Sequence, residues 1–290
     1  AFYAQVDKNY QKPPKEILDL VEAPPAPSVI IDDKGENVVL LYRNSYKSIQ
    51  ELSETEMRLG GLRINPKTNI GSRTNYYNNI EVKKATDKES KQVSGLPENP
   101  RLSNFSWSPN QKMIAFLHTG KEGVEAWVLD IGNSLAKKLT SATVNANMGD
   151  VINWFKDSSS LLVKMLPENR KELINTAEAV PTGPTISVSD GEKAQNRTYQ
   201  DLLKNPNDEA NFVQLALSEI KKVSVNGEVT SFLPTAMYRS ISFSPNGEYI
   251  LVSEVKKPFS YLVPYYRFPY RHLRHLYCGL CPCGLSHRQP

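Results

Sequence analysis

The sequence predicts an all-β fold: an incomplete β-propeller of about three and a half four-stranded blades, carrying short helical insertions. Three observations lead there. First, a short phrase recurs. Ser106 to Phe116 (SWSPNQKMIAF) aligns without a gap on Ser242 to Val252 (SFSPNGEYILV), with weaker copies at Asn153 to Val163 and Ile30 to Leu40. Each copy reads as strand, turn, strand. Pro presets φ in the turn, Asn and Gly tolerate positive φ, and the flanking aromatic and apolar residues favour pleated structure. Second, the anchor positions Ile31, Trp107, Trp154 and Phe243 lie 76, 47 and 89 residues apart. A four-stranded blade repeats at roughly 40–50 residues, so the middle spacing is one plain blade. The other two are blades enlarged by insertions of roughly 30 and 40 residues on the same measure. Third, the plain blade can be read strand by strand as Leu102–Trp107, Met113–His118, Val124–Asp130 and Ser134–Leu139. Four short strands with polar turns between them make one blade.

Taken in order, residues 1–27 are expected to form a leader or linker. Glu16–Val21 is a short helix bracketed by Pro13-Pro14 and by Pro24-Pro25-Ala26-Pro27, where proline ends helices and stiffens the chain. The propeller then occupies residues 28–271. Its first insertion predicts a helix from Ser48 to Leu59, with Ser48 as N-cap, Glu51 at capping-box distance and Gly60-Gly61 as the stop. Residues 86–100 read as a loop. The third blade, from Val151, is interrupted between Pro167 and about Asn211, where Tyr199–Lys204 predicts a second short helix. Strands are expected to resume over Phe212–Val225, followed by the hairpin turn Asn226-Gly227. The fourth blade is expected to use Tyr249–Val255 and Tyr261–Val263. Residues 272–290 break the pattern and predict an aberrant or disordered tail.

Composition excludes several classes. Hydrophobic residues make up 39% and charged residues 23% of the 290, ordinary for a globular chain. No window approaches the ~18 apolar residues of a membrane-spanning helix. The formal charge of +4 is an end effect: after Glu254 come six Lys or Arg and no acidic residue. The body is therefore near neutral, and nucleic acid is not an expected partner. Residues 1–277 contain no cysteine, which excludes a disulfide framework there. Ala-Phe-Tyr-Ala-Gln at the start has the character of a trimmed signal peptide end, so a periplasmic or secreted location is expected.

The last residues, HLRHLYCGLCPCGLSHRQP, hold all three cysteines and three of the four histidines. His272, His275, Cys278, Cys281 and Cys283 have short spacing and soft ligand atoms that suit zinc. The abrupt loss of alternation and acidic residues argues instead for a non-native end, and no metal is expected. Aromatics among basic residues (Tyr265, Tyr266, Phe268, Tyr270) resemble a single-strand nucleic-acid platform in composition alone. Asn104-Phe105-Ser106 and Asn196-Arg197-Thr198 match the glycosylation pattern.

Several stretches carry a family resemblance: Leu20 to Pro27 (LVEAPPAP), Glu51 to Asn65 (ELSETEMRLGGLRIN), Arg197 to Leu203 (RTYQDLL), Pro258 to Pro264 (PFSYLVP) and Arg267-Phe268-Pro269. Through them the chain resembles the amino-terminal half of glutamyl endopeptidases in the prolyl oligopeptidase family. That resemblance implies a seven- or eight-bladed propeller in front of an α/β-hydrolase domain, in an exported or organellar serine peptidase that cuts after acidic residues. It implies peptide substrates reached through the hydrolase domain, and no cofactor. The hydrolase signature is Gly-x-Ser-x-Gly on a strand-to-helix elbow, and these residues contain none. Gly132-Asn133-Ser134-Leu135-Ala136 is the nearest and reads as a turn, and no imidazole is placed to serve it. No catalytic residue is therefore expected on this chain. The expected role is a substrate-gating propeller portion; the alternative is a stand-alone TolB-like binding or scaffold protein. Selectivity for acidic side chains needs a cationic pocket. Arg73, Arg197, Arg239 and Arg267, in or near the family-like stretches, are the candidate substrate-binding residues. A ring left open also predicts uncovered apolar faces and poor solubility.

Overall fold

The computed structural model describes residues 12–175, 191, 199–277 and 282–283. A helix, α1 (Lys15–Glu22), precedes the first blade. That blade consists of β1 (Ser28–Ile31), β2 (Asn37–Tyr42), β6 (Asn79–Lys84) and β7 (Lys91–Gln92). Between β2 and β6 lies an insertion with a short helix, α2 (Ile49–Leu52), and a three-stranded sheet, β3 (Met57–Leu59), β4 (Leu62–Asn65) and β5 (Ile70–Gly71). The second blade is β8 (Leu102–Trp107), β9 (Met113–Thr119), β10 (Val124–Asp130) and β11 (Leu135–Lys138). The third is β12 (Ile152–Trp154), β13 (Ser160–Met165), β14 (Ser218–Ser224) and β15 (Val229–Ala236), with helix α3 (Pro206–Ala216) inserted before β14. The fourth is β16 (Tyr238–Phe243), β17 (Tyr249–Val255), β18 (Tyr270–Tyr277) and β19 (Pro282–Cys283). Each blade is a four-stranded antiparallel meander in chain order, the architecture expected from the repeat.

The recurring phrase has a common backbone cause. In all four copies the N–H of the turn's fourth residue donates to the C=O of its first: Gly35 to Asp32, Gln111 to Ser108, Ser158 to Phe155 and Gly247 to Ser244, at 2.8–3.0 Å. That fourth residue has positive φ in every copy (71°, 59°, 60° and 77°). A tight turn closing on a left-handed residue matches the right-handed twist of the strands it joins. In the two strongest copies the Ser hydroxyl also accepts the N–H that opens the next strand. Met113 donates to Ser108 Oγ at 3.0 Å and Tyr249 to Ser244 Oγ at 2.9 Å.

The core is divided among blade interfaces. Val39, Leu41, Ile80 and Val82 of the first blade pack on Ile114, Phe116, Trp127 and Leu129 of the second. Ala115, Leu117, Ala126 and Val128 on the second blade's other face pack on Trp154, Leu161, Val163 and Val223 of the third. Leu162, Ile220 and Leu233 of the third pack on Tyr238, Ile241, Ile250 and Val252 of the fourth. Val29 and Ile31 on the first sheet, and Leu251 and Leu276 on the fourth, are exposed.

The insertions depart from expectation. The helix starting after Ser48 has its capping box but ends at Leu52. Met57–Leu59 instead pairs with Leu62–Asn65, and Gly60 and Gly61 have φ of 59° and 82°. Two consecutive positive φ values make a two-residue hairpin turn, so the glycines taken as a helix stop join two strands. Tyr199–Lys204 is not helical. The helix of that insertion is α3, where Asn205 caps Asp208 N–H and Pro206 occupies the first turn. Phe212 is a buried helical residue, and the strand resumes only at Ser218. Tyr261–Val263 is not a strand; the third strand of the last blade is β18. The expected boundary at residue 272 falls inside β18, which pairs with β17 from Tyr270 to Leu276. Residues 278–281 and 284–290 lie outside the described residues.

Candidate functional site

The insertions of the first, third and fourth blades all leave after the second strand of the blade and return into the third. The blades run in the same sense, so these excursions emerge on one face of the array and the Ser-Pro-Asn turns on the other. The second blade has only the turn Gly120–Gly123 at this point. A Cβ on Gly123 would collide with the Ala142 carbonyl oxygen, so this connection is held tight.

The first insertion fills the space above that turn. The Arg101 guanidinium, at the entry to the second blade, donates to both Glu54 carboxylate oxygens at 2.8 and 3.3 Å and lies 4.4 Å from the Tyr76 ring centre. Ile70 forms a parallel bridge with Ala146 in the segment between the second and third blades. The insertion thus crosses the second blade and reaches the other two insertions.

There three chain segments converge. Tyr265 N–H donates to Gly60 O at 2.7 Å, and Gly61 N–H to Asp201 O at 2.8 Å. Arg63 Nε lies 2.5 Å from Asp201 Oδ2 in a mostly buried ion pair, and its guanidinium also donates to Gln200 Oε1 at 3.2 Å. The Phe212 ring sits edge-on to Phe259 and Phe268, with centroids 5.3 and 5.7 Å away. A Cβ on Gly60 would lie 3.2 Å from that ring, and one on Gly61 would lie 2.5 Å from Pro264 Cβ. Leu59, Ile64, Leu203, Leu215, Val255 and Phe268 complete an apolar core separate from the blade interfaces. The stretches ELSETEMRLGGLRIN, YQDLL and PFSYLVP, which carried the family resemblance, all enter this junction.

Below it lies a buried polar layer. The C-terminal turn of α3 presents the Leu215 carbonyl to the side-chain amides of Asn69, Asn145 and Asn147, at 3.3, 3.0 and 2.7 Å. These bonds converge on one helix-end carbonyl that has no partner within the helix. Lys164, on β13, is fully buried and donates to Asn147 O at 2.9 Å and to Met148 O. Burial pushes its amine down to about 7, against a weaker opposing pull from Asp150. Sequence reasoning passed over this lysine. The signal was its place in the run Leu161-Leu162-Val163-Lys164-Met165 of β13, where every other residue is apolar and all are buried.

The candidate arginines are spread around the junction. Arg73 is exposed and 3.9 Å from Glu56. Arg267 lies 5.8 Å from the Tyr199 ring centre and Arg239 5.0 Å from that of Tyr270. Arg239 is part-buried, forms no ion pair among the described residues, and is close enough to Tyr265 to favour its ionised form, against the stronger effect of burial. Arg197 lies outside the described residues, as do Asn196, Cys278 and Cys281. His272 sits on β18, where its Nδ1 and Ser253 Oγ are 2.8 Å apart. No group of three or more metal-binding side chains occurs among the described residues. Among the described residues no helix is long and apolar enough to cross a membrane.

Ser134 and His118 do not meet. Ser134 is buried with φ 53° in the turn between β10 and β11. His118 sits at the opposite end of the same blade, its Nδ1 3.2 Å from Glu125 Oε2, about 15–20 Å away along the strands. Burial works against the Glu125 carboxylate, but hydrogen bonds from Lys138, Trp127 and His118 outweigh it and lower its pKa. The group is a structural network, with Trp127 Nε1 donating to the same oxygen at 2.9 Å.

The fold and site thus define a propeller-type β-array capped on one face by its own insertions. A probable chloroplastic glutamyl endopeptidase of Oryza sativa subsp. japonica is 32% identical over 275 residues, covering 90% of this chain and 29% of that protein. Its counterpart in Arabidopsis thaliana is 31% identical over 277 residues, covering 91% and 28%. The chain spans less than a third of the length of these relatives. No protein-family model matches it. Among solved structures, an acylaminoacyl peptidase of Pyrococcus horikoshii superposes with a TM-score of 0.46 at 15% identity, covering 88% of this chain and 31% of that one. A TolB-type protein of Agrobacterium tumefaciens does so at 0.40 and 10%, covering 85% and 59%.

Proposed function

We propose that this chain is the propeller portion of an exported serine endopeptidase, controlling how peptide segments reach a separate catalytic unit. The observation that carries this reading is the similarity, over 90% of this chain, to a stretch of two probable glutamyl endopeptidases that makes up 29% and 28% of their lengths. Four of the stretches that carry the resemblance, ELSETEMRLGGLRIN, YQDLL, PFSYLVP and Arg267-Phe268-Pro269, come together in one structured face. The chain's own residues then supply shape and binding groups, and nucleophilic chemistry comes from elsewhere. Ser134 and His118 are excluded as a pair by their position at opposite ends of a blade.

Within this reading Arg239 is the best placed of the four arginines to receive an acidic side chain. A guanidinium stacked on Tyr270 and free of a carboxylate partner among the described residues keeps its planar donors available for bidentate binding. Arg73 already faces Glu56. The test uses an intact relative with the residue equivalent to Arg239 changed to Ala. Cleavage after Glu is expected to fall relative to cleavage after a neutral residue, by about ten- to a hundredfold in kcat/KM for a lost charged hydrogen bond. An unchanged ratio removes Arg239 from the reading. Gating is tested separately with short and long substrates of one cleavage sequence. A relative deleted for the propeller is expected to lose its discrimination by length, and retained discrimination refutes gating. Fractionation of the source cell tests export.

A further inference from the structure

We propose that the three insertions act as a clasp. They couple blades that are not neighbours, so that the first and last blades open only together with the middle of the array. In a stack held by neighbour contacts alone, each end unit is retained by a single interface and opens on its own. Here the first blade is also tied to the third, through Gly61 to Asp201 and Arg63 to Asp201, and to the fourth, through Tyr265 to Gly60. Phe212 closes the triangle by contacting Phe259 and Phe268 while standing against Gly60. The second blade carries no insertion, and the first insertion reaches across it, held by the paired Arg101 and Glu54 and by the Ile70 bridge. The clasp therefore spans the array on one face. On the opposite face, among the described residues, neighbouring turns touch in sequence: Asp33 N–H to Gln111, Asn110 N–H to Ser158, and Lys156 to the Pro245 carbonyl. The consequence is a fixed spread between the first and fourth blades, set by the clasp and independent of whatever lies beyond them.

The test is native-state hydrogen exchange on the whole chain. In the unaltered protein, amides of β2 and β6 are expected to exchange through the same opening as those of β9 and β13. Asp201→Ala is expected to speed exchange in β2 and β6 by about ten- to a hundredfold, matching the loss of charged hydrogen bonds, and Asp201→Asn by less. Exchange of β2 and β6 through an independent, cheaper opening, with α3 and β4 still protected, overturns the proposal. So does a variant whose faster exchange is confined to residues 57–71 and 199–216. Should Asp201→Ala fail to fold, the unaltered protein decides by the first criterion alone.

Discussion

Lys164→Met tests the electrostatics beneath the clasp. The lysine is fully buried and its amine is lowered from the ordinary 10.5 to about 7. Unfolding returns it to water, where it takes up a proton that the folded chain has lost above pH 7. Between about 7 and 10.5 the unfolded state therefore binds more protons, and stability rises with pH. Below 7 both states are protonated and this contribution is flat. Each pH step inside the interval is worth about 1.4 kcal/mol, so the full interval is on the order of 5 kcal/mol, about half of it between pH 7 and 9. Methionine has similar length and no charge, so the variant should lack this slope. It also leaves the Asn147 and Met148 carbonyls without their donor, costing about 1–3 kcal/mol each at every pH. That cost shifts the whole curve without tilting it. Urea unfolding followed by the fluorescence of buried Trp127 and Trp154 at pH 6, 7, 8 and 9 separates the two effects. Other titrating groups cancel in the difference between the proteins. Parallel curves from pH 7 to 9 would show that Lys164 keeps its proton in the folded chain and refute the argument.

Three further outcomes follow from local geometry. Gly61→Ala should cost more than Gly35→Ala, although both positions have positive φ. Alanine at 35 pays only the left-handed penalty of about 1 kcal/mol, with no atom nearby, whereas at 61 its Cβ meets Pro264; equal denaturation midpoints would contradict the close packing. Ser108→Ala and Ser244→Ala remove equivalent turn bonds, but Ser108 is buried and Ser244 is not. The first should lose about 1–3 kcal/mol and the second less, since water replaces only the latter's hydroxyl. Glu125→Gln should flatten the acid limb of the stability curve. A carboxylate held below its ordinary pKa stabilises the fold above its unfolded pKa and loses that contribution as pH falls. An acid limb unchanged by the substitution would show that Lys138, Trp127 and His118 do not favour the ionised form.

The blades were legible because their information is local and periodic. A four-residue turn that needs one left-handed position constrains which residues it uses, and alternating strands on either side name the buried faces. The second blade could be read to within two residues at each strand end for this reason. The insertions were not legible because their order comes from one another. Gly60-Gly61 satisfies the rules for a helix stop and for a hairpin equally well. What decides is whether Met57–Leu59 has a partner strand, and that strand is steadied by Asp201, some 140 residues further along. For α3 the local signal was present, since Asn205-Pro206 followed by Asp208 and Glu209 is an ordinary helix start. It was masked by the apolar run around Phe212, whose burial comes from packing on the fourth blade's insertion. The candidate arginines show the same limit. Whether a guanidinium is spent on a carboxylate or left available depends on tertiary neighbours such as Glu56 or Tyr270, which sequence spacing does not reveal. The family-like stretches therefore take on a different meaning once placed in the structure. All but Leu20 to Pro27 meet where the insertions bond to one another, so the resemblance they carry reports first on how this face is assembled. Arg239, the residue proposed to receive an acidic side chain, lies beside that assembly, near the Tyr265 that donates to Gly60.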